Sequence, residues 1–190
     1  MDAVTALTTR TSSGQLVEPA PDTEQLAAII AAGQRAPDHG RLRPWRFFAV
    51  RGAALPKFGA LLAASLKRRD PTASDDMLER EAAKAARAPL ILVVAAKLKL
   101  DSVKVPAIEQ TLAAGAAAQN AMLAAHAMGL GAVWKTGPAA YDPGVKAAFG
   151  LTPNDAIVGF IYLGTPARPP IAPPVADPSL FAEWAGPAAA

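Results

Sequence analysis

The chain has 190 residues, is 52% hydrophobic by count, carries a formal net charge of +3 and contains no cysteine. That length suits one domain, and the mild, scattered charge argues against a nucleic-acid binder. The missing thiols exclude disulfides, iron–sulfur ligation, thiolate zinc sites and a cysteine nucleophile.

Much of the hydrophobic content is alanine, which supports helix but fills little volume, so long and closely packed helices are expected. The first residues, Met1 to Gly14, lack a basic region followed by an apolar core and do not read as a secretory signal. Val4 and Leu7 suggest a short amphipathic start, followed by the polar turn Arg10-Thr11-Ser12-Ser13-Gly14. Pro19 and Pro21 precede Asp22-Thr23-Glu24, a helix-start signature, and Leu26, Ile29, Ile30 and Gly33 continue with helical spacing toward Arg35. Pro37 ends that pattern. Asp38 to Arg41 reads as a loop, and Pro44-Trp45 leads into a strand over 46–50.

Helical segments are expected over about 55–69 and 75–87, joined by a polar, mobile stretch at 70–74. The run Lys67-Arg68-Arg69 reads as a solvated helix end. Leu90 to Ala95 is a continuous apolar run and reads as a strand covered on both faces. A long alanine-rich helix follows over about 107–128, closed by Gly129. Its apolar stretch is interrupted by Gln119, Asn120, His126 and glycines, which a membrane span would bury at high cost. A short strand and turn over 131–136, a helix around 142–149 and a last strand over 156–164 complete the pattern. Prolines at 166, 169, 170, 173, 174 and 178 favour an extended tail that either wraps a neighbour or stays disordered. The order is α+β with four short strands. One domain over 1–165 and a proline-rich extension over 166–190 are expected, in a cytoplasmic protein.

The usual catalytic kits are absent: no G-x-S-x-G elbow and no H-E-x-x-H occurs. With only His39 and His126 and no cysteine, no metal site is expected. Gly129-Leu130-Gly131 opens like a dinucleotide fingerprint, but Trp134 replaces the third glycine and the motif follows a helix, so a Rossmann site is excluded. With no nucleophile or acid–base pair in view, the chemistry is assigned to a cofactor, oriented by the protein.

Three stretches together resemble the FMN-dependent nitroreductase family. Arg10-Thr11-Ser12 stands where the family usually has Arg-Arg-Ser or Arg-Ser-Ile/Val. The run from Ala36 through Pro37, Asp38, His39, Pro44 and Trp45 to Phe47 resembles its Ala-Pro-Ser-Ser/Asp-His stretch leading into Gln-Pro-Trp-x-Phe. Ala113 to Trp134 resembles its central helix and the strand that follows. The Asp38-His39 pair and the short length are similar to a group of small bacterial NAD(P)H nitroreductases. The resemblance implies a three-layer α/β/α sandwich with a mostly antiparallel central sheet, in an intertwined homodimer with FMN at the interface. It also implies ping-pong hydride transfer from NAD(P)H through FMN N5 to nitroaromatic or quinone-like acceptors, with no catalytic side chain.

By the same resemblance, Arg10, Thr11 and Ser12 lie at the FMN phosphate, where a charge-assisted bond and a hydroxyl suit the anion. Arg35 lies at the flavin, although at a helix end it could equally complement the helix dipole. His39 reaches the partner's FMN or stays a solvated loop residue. Trp134, Lys135 and Thr136 lie along the flavin, with Trp134 also suited to core packing and Lys135 placing positive charge by the pyrimidine end. Arg168 is the late basic residue at the phosphate. The chain departs from the family at Thr11, Arg41 and Arg43, which leaves the acceptor preference open. The alternatives are a flavin-binding sensor or storage protein and a specialised enzyme on the same fold, of dehalogenase or flavin-destroying type.

Overall fold

The computed structural model describes residues 1–169, 171–173, 175, 177–184 and 186. Its elements run α1 (Ala3–Thr9), β1 (Leu16–Val17), α2 (Thr23–Gly33), β2 (Trp45–Arg51), α3 (Ala54–Arg69), α4 (Asp75–Ala82), β3 (Leu90–Ala96), α5 (Ala107–Ala127), β4 (Gly131–Lys135), α6 (Pro143–Ala148) and β5 (Ala156–Pro166). All four strand pairings are antiparallel: β2 with β3, and β5 with each of β1, β3 and β4.

β3 is the centre of the molecule because its apolar run has two faces to bury, and every one of its residues is buried. Leu90, Leu92 and Val94 face a layer made by α2 and α5, with Ile29, Ala118, Ala121, Met122 and Ala125. Ile91, Val93 and Ala95 face the opposite layer, which contains Phe58 and Leu62 of α3 and Val145 of α6. The chain is therefore a three-layer α/β/α sandwich around an antiparallel sheet, as its sequence led us to expect.

The helix ends follow local chemistry. Asp22 caps α2 through a capping box with Gln25, a device that satisfies two otherwise orphaned N–H groups. Gly129, at φ +80°, closes α5, a left-handed position that suits glycine.

Four details differ from the sequence reading. A fifth strand exists, the two-residue β1, which pairs with the far end of β5. The helix expected over 75–87 stops at Ala82 and tightens into a 3-10 turn over Ala83–Arg87. α2 ends at Gly33 rather than near Arg35. The stretch 70–74 is a tied turn: the Asp70 carboxylate accepts from the Thr72 backbone and hydroxyl, and Ala73 is buried. The described part of the tail beyond β5 has no regular element except a 3-10 turn at Pro178–Leu180; residues 170, 174, 176, 185 and 187–190 of the expected extension lie outside the described residues.

Candidate functional site

The turn after α1 carries the residues singled out first. It is held from both sides: the Ser13 N–H donates to the Ala132 carbonyl on β4 at 3.0 Å, and the Ala167 N–H donates to Gln15 at 3.1 Å. Three small cavities adjoin along it through shared residues. One, of about 190 Å³, is lined by Arg10, Thr11 and Ser13 with His126 and Pro166. The next, of about 330 Å³, is lined by Ser12, Ser13, Gly14 and Arg168. The third, of about 110 Å³, is lined by Gly14, Arg87, Val133, Lys135 and Tyr162.

Four cations thus surround one turn, and no carboxylate lines any of the three cavities. Arg10 Nη1 and Thr11 Oγ1 are buried without a hydrogen-bond partner. A buried donor left unmade costs on the order of 1–3 kcal/mol, so such atoms point to a missing acceptor. Burial raises the Tyr162 phenol above its ordinary value of 10.0, so it remains a neutral hydroxyl at physiological pH. Arg87 and Tyr162 were not singled out from sequence. Both face the site through strand and turn geometry, and neither belongs to a local motif.

Trp134 and Lys135 are consecutive on β4 and point to opposite faces, as strand pleating requires. Lys135 faces the cation-lined cavity. Trp134 packs with the α2/α5 layer. Its indole N–H donates to the Val158 carbonyl at 3.2 Å, at a bulge where Val158 has no partner on β3. A Cβ on Gly159 would collide with that indole, so the close approach requires glycine. Thr136 opens onto a separate groove of about 590 Å³ lined by Arg69, Pro138, the exposed Tyr141, Asp142 and Pro143.

Arg35 and His39 are not brought to the Arg10 turn. Arg35 lines a groove of about 690 Å³ with Arg43, Trp45, Arg46 and Phe47. His39 sits on a 3-10 turn and meets Glu109, in the first turn of α5, at 2.6 Å. The sequence-nominated residues therefore fall into separate surface groups on one chain. Among the described residues, no cluster of His, Cys, Asp or Glu could hold a metal. No helix of the described residues is long and apolar enough to cross a membrane.

Comparison with known proteins follows the same outline. Residues 7–165 match the profile of the nitroreductase family. The chain is 44% identical over 167 residues to the Escherichia coli (strain K12) protein named "Putative NAD(P)H nitroreductase YdjA", covering 87% of this chain and 89% of that one. Among solved structures, the nitroreductase-like family protein from Bacillus cereus superposes with a TM-score of 0.82 at 22% identity, over 98% of this chain and 97% of the other. A Desulfovibrio desulfuricans structure in complex with FMN superposes with a TM-score of 0.71 at 25% identity, over 98% and 99% of the two chains.

Proposed function

Because this chain belongs to the nitroreductase family, we propose that it is an FMN-dependent oxidoreductase that takes reducing equivalents from NAD(P)H. Its acceptors are small and electron-poor, nitroaromatic or quinone-like, and oxidant and reductant use the site in turn. The observation that carries this assignment is the Arg10 turn, with two buried unpartnered polar atoms, Arg10 Nη1 and Thr11 Oγ1, and cations gathered around it. That donor set fits a phosphate dianion, which charge-assisted bonds from arginine suit best.

Arg10, Thr11, Ser12 and Arg168 would hold the FMN phosphate. FMN, when bound, supplies the ring that accepts and releases hydride, which no side chain here can do. Lys135 brings a positive charge to the same turn and favours a reduced, anionic flavin over its neutral form. Trp134 stiffens β4 from the opposite face, keeping Lys135 and Thr136 aligned. The apolar groove beside Thr136, with Tyr141 on its rim, is wide enough for a flat aromatic acceptor.

Arg35 and His39 complete the site from a second copy of the chain, since one chain does not bring them to the Arg10 turn. The exposed apolar residues of α1 and α5, Val4, Leu7, Ile108 and Leu112, give such a copy a surface to cover.

Adding FMN to the purified protein is expected to give a bound flavin spectrum that bleaches anaerobically with NADH or NADPH and returns with a nitroaromatic or quinone. Arg10→Ala is expected to weaken FMN binding at least about tenfold, the scale of one charge-assisted contact. A bound flavin that stays oxidised would favour the sensor or storage alternative. No flavin binding at all would remove the assignment.

A further inference from the structure

His39 and Glu109 are 70 positions apart in the chain, and folding brings them to 2.6 Å. A carboxylate only accepts hydrogen bonds, so the proton between them belongs to His39 Nδ1, whether the ring is neutral or charged. The opposite nitrogen, Nε2, is left for another partner, and none is found for it among the described residues.

Both sides of this contact are braced. Glu109 stands in the first turn of α5, where the helix dipole favours a negative charge. The next residue, Gln110, is 1% exposed. Its side chain accepts from the Lys99 N–H and donates to the carbonyls of Lys99 and Val105, which ties the segment entering α5 to the helix itself. Facing it, Gly40 stands at φ +72°, and a Cβ there would come to 3.0 Å from Val105 Cγ2. The turn bearing His39 therefore packs on the same Val105 that Gln110 holds.

Stability does not explain the pair. Its side chains are 58% and 42% exposed, and such ion pairs contribute little in water. What the contact does fix is the ring's orientation and which nitrogen faces outward.

We propose that Glu109 is a positioning residue of the flavin site: it holds His39 so that Nε2 is the nitrogen offered to the flavin of a second copy. This rests on the reductase assignment above and on His39 completing that site. Glu109 acts only through His39, as a carboxylate behind a metal-bound histidine fixes its ring and tautomer.

The test uses the full chain and FMN. Glu109→Ala and His39→Ala are each expected to weaken FMN binding about fivefold, the scale of one hydrogen bond. The double variant should be no weaker than His39→Ala alone. Glu109→Gln, whose amide oxygen can still accept from Nδ1, should restore binding to within about twofold of the wild type. All variants should unfold within about 2 °C of the wild type, because the pair is exposed. The chain has only two histidines, so nitrogen-15 NMR can follow the His39 ring directly. At a pH that leaves the imidazole neutral, its proton is expected on Nδ1, and Glu109→Ala should shift it toward Nε2. Additive losses in the double variant would overturn the proposal, since Glu109 would then act without His39. A ring proton unmoved by Glu109→Ala would overturn it as well. Unchanged FMN binding in both alanine variants would overturn it while a flavin that NAD(P)H still bleaches kept the reductase assignment standing. A wild-type chain that binds no FMN would remove that assignment and the proposal together.

Discussion

Asp142 shows how much a single side chain can hold. It is 4% exposed, and its carboxylate accepts from Arg68 Nη2 at 2.6 Å and Nε at 3.1 Å and from the Val145 N–H at the start of α6 at 2.9 Å. The Arg68 guanidinium holds its pKa at about 2, against an ordinary 3.8, with burial opposing. A depressed carboxylate stabilises the fold above the unfolded value and loses that stabilisation as pH falls through the folded one. The contribution is thus present above 3.8 and lost by about 2. It amounts to roughly 2 kcal/mol, less what solvent screens at the half-exposed Arg68. Asp142→Asn keeps a capping oxygen but removes the charge, so a loss of about 1–2 kcal/mol is expected in urea unfolding at pH 7, narrowing toward pH 3. An equal loss at both pH values would show that the ion pair is not the cause. Sequence could not find this pair. Arg68 sits in a basic run that reads as solvated surface, and its partner lies 74 positions away. The Arg10 turn was legible because its hydroxyls and arginine are consecutive, whereas Arg87 and Tyr162 join it only through folding.

At the scale of elements, the periodic segments could be read directly. β3 and α5 carry their burial pattern in their own residues, and α2 carries its cap. What escaped were lengths set by neighbours. β1 is too short to have a pattern and exists because the end of β5 offers it a partner. α4 tightens at Ala82, whose carbonyl lies 2.7 Å from where a Cβ on Gly59 of α3 would stand; no local signal in Glu79–Arg87 announces that contact. α5 shows the meaning of its alanines: Ala114, Ala117, Ala118, Ala121 and Ala125 are fully buried. Space between helix and sheet is therefore set by a methyl group, and interiors this tightly packed resist added volume. Ala121→Leu is expected to lower the unfolding free energy by about 1–3 kcal/mol. Ile108→Ala on the exposed side of the same helix should change the stability of an isolated chain by less than about 0.5 kcal/mol. Equal effects at the two positions, followed by thermal unfolding, would contradict the packing account.

For the molecule as a whole, helix and strand patterns gave an α+β order and the family resemblance implied the sandwich, but the distribution of the site was not foreseeable. Residues nominated together from sequence lie in separate groups on one chain, because a linear motif does not say where folding carries each of its residues. If the site is completed between copies, sedimentation equilibrium should give twice the 19.5 kDa of one chain. Ile108→Glu or Leu112→Glu should shift the protein toward the monomer and weaken FMN binding together; a monomer that binds FMN normally would count against the shared site. The alternation on β4 has a further consequence for how such a chain can diverge. Trp134 serves one layer and Lys135 the opposite one, so substitutions at either change a single property. Inserting or deleting one residue in this strand would exchange the two faces at once, burying a lysine beneath α5 and turning an indole toward the cations. Related sequences should therefore vary in residue type along β4 while holding its length, and tolerate gaps only in the connections on either side.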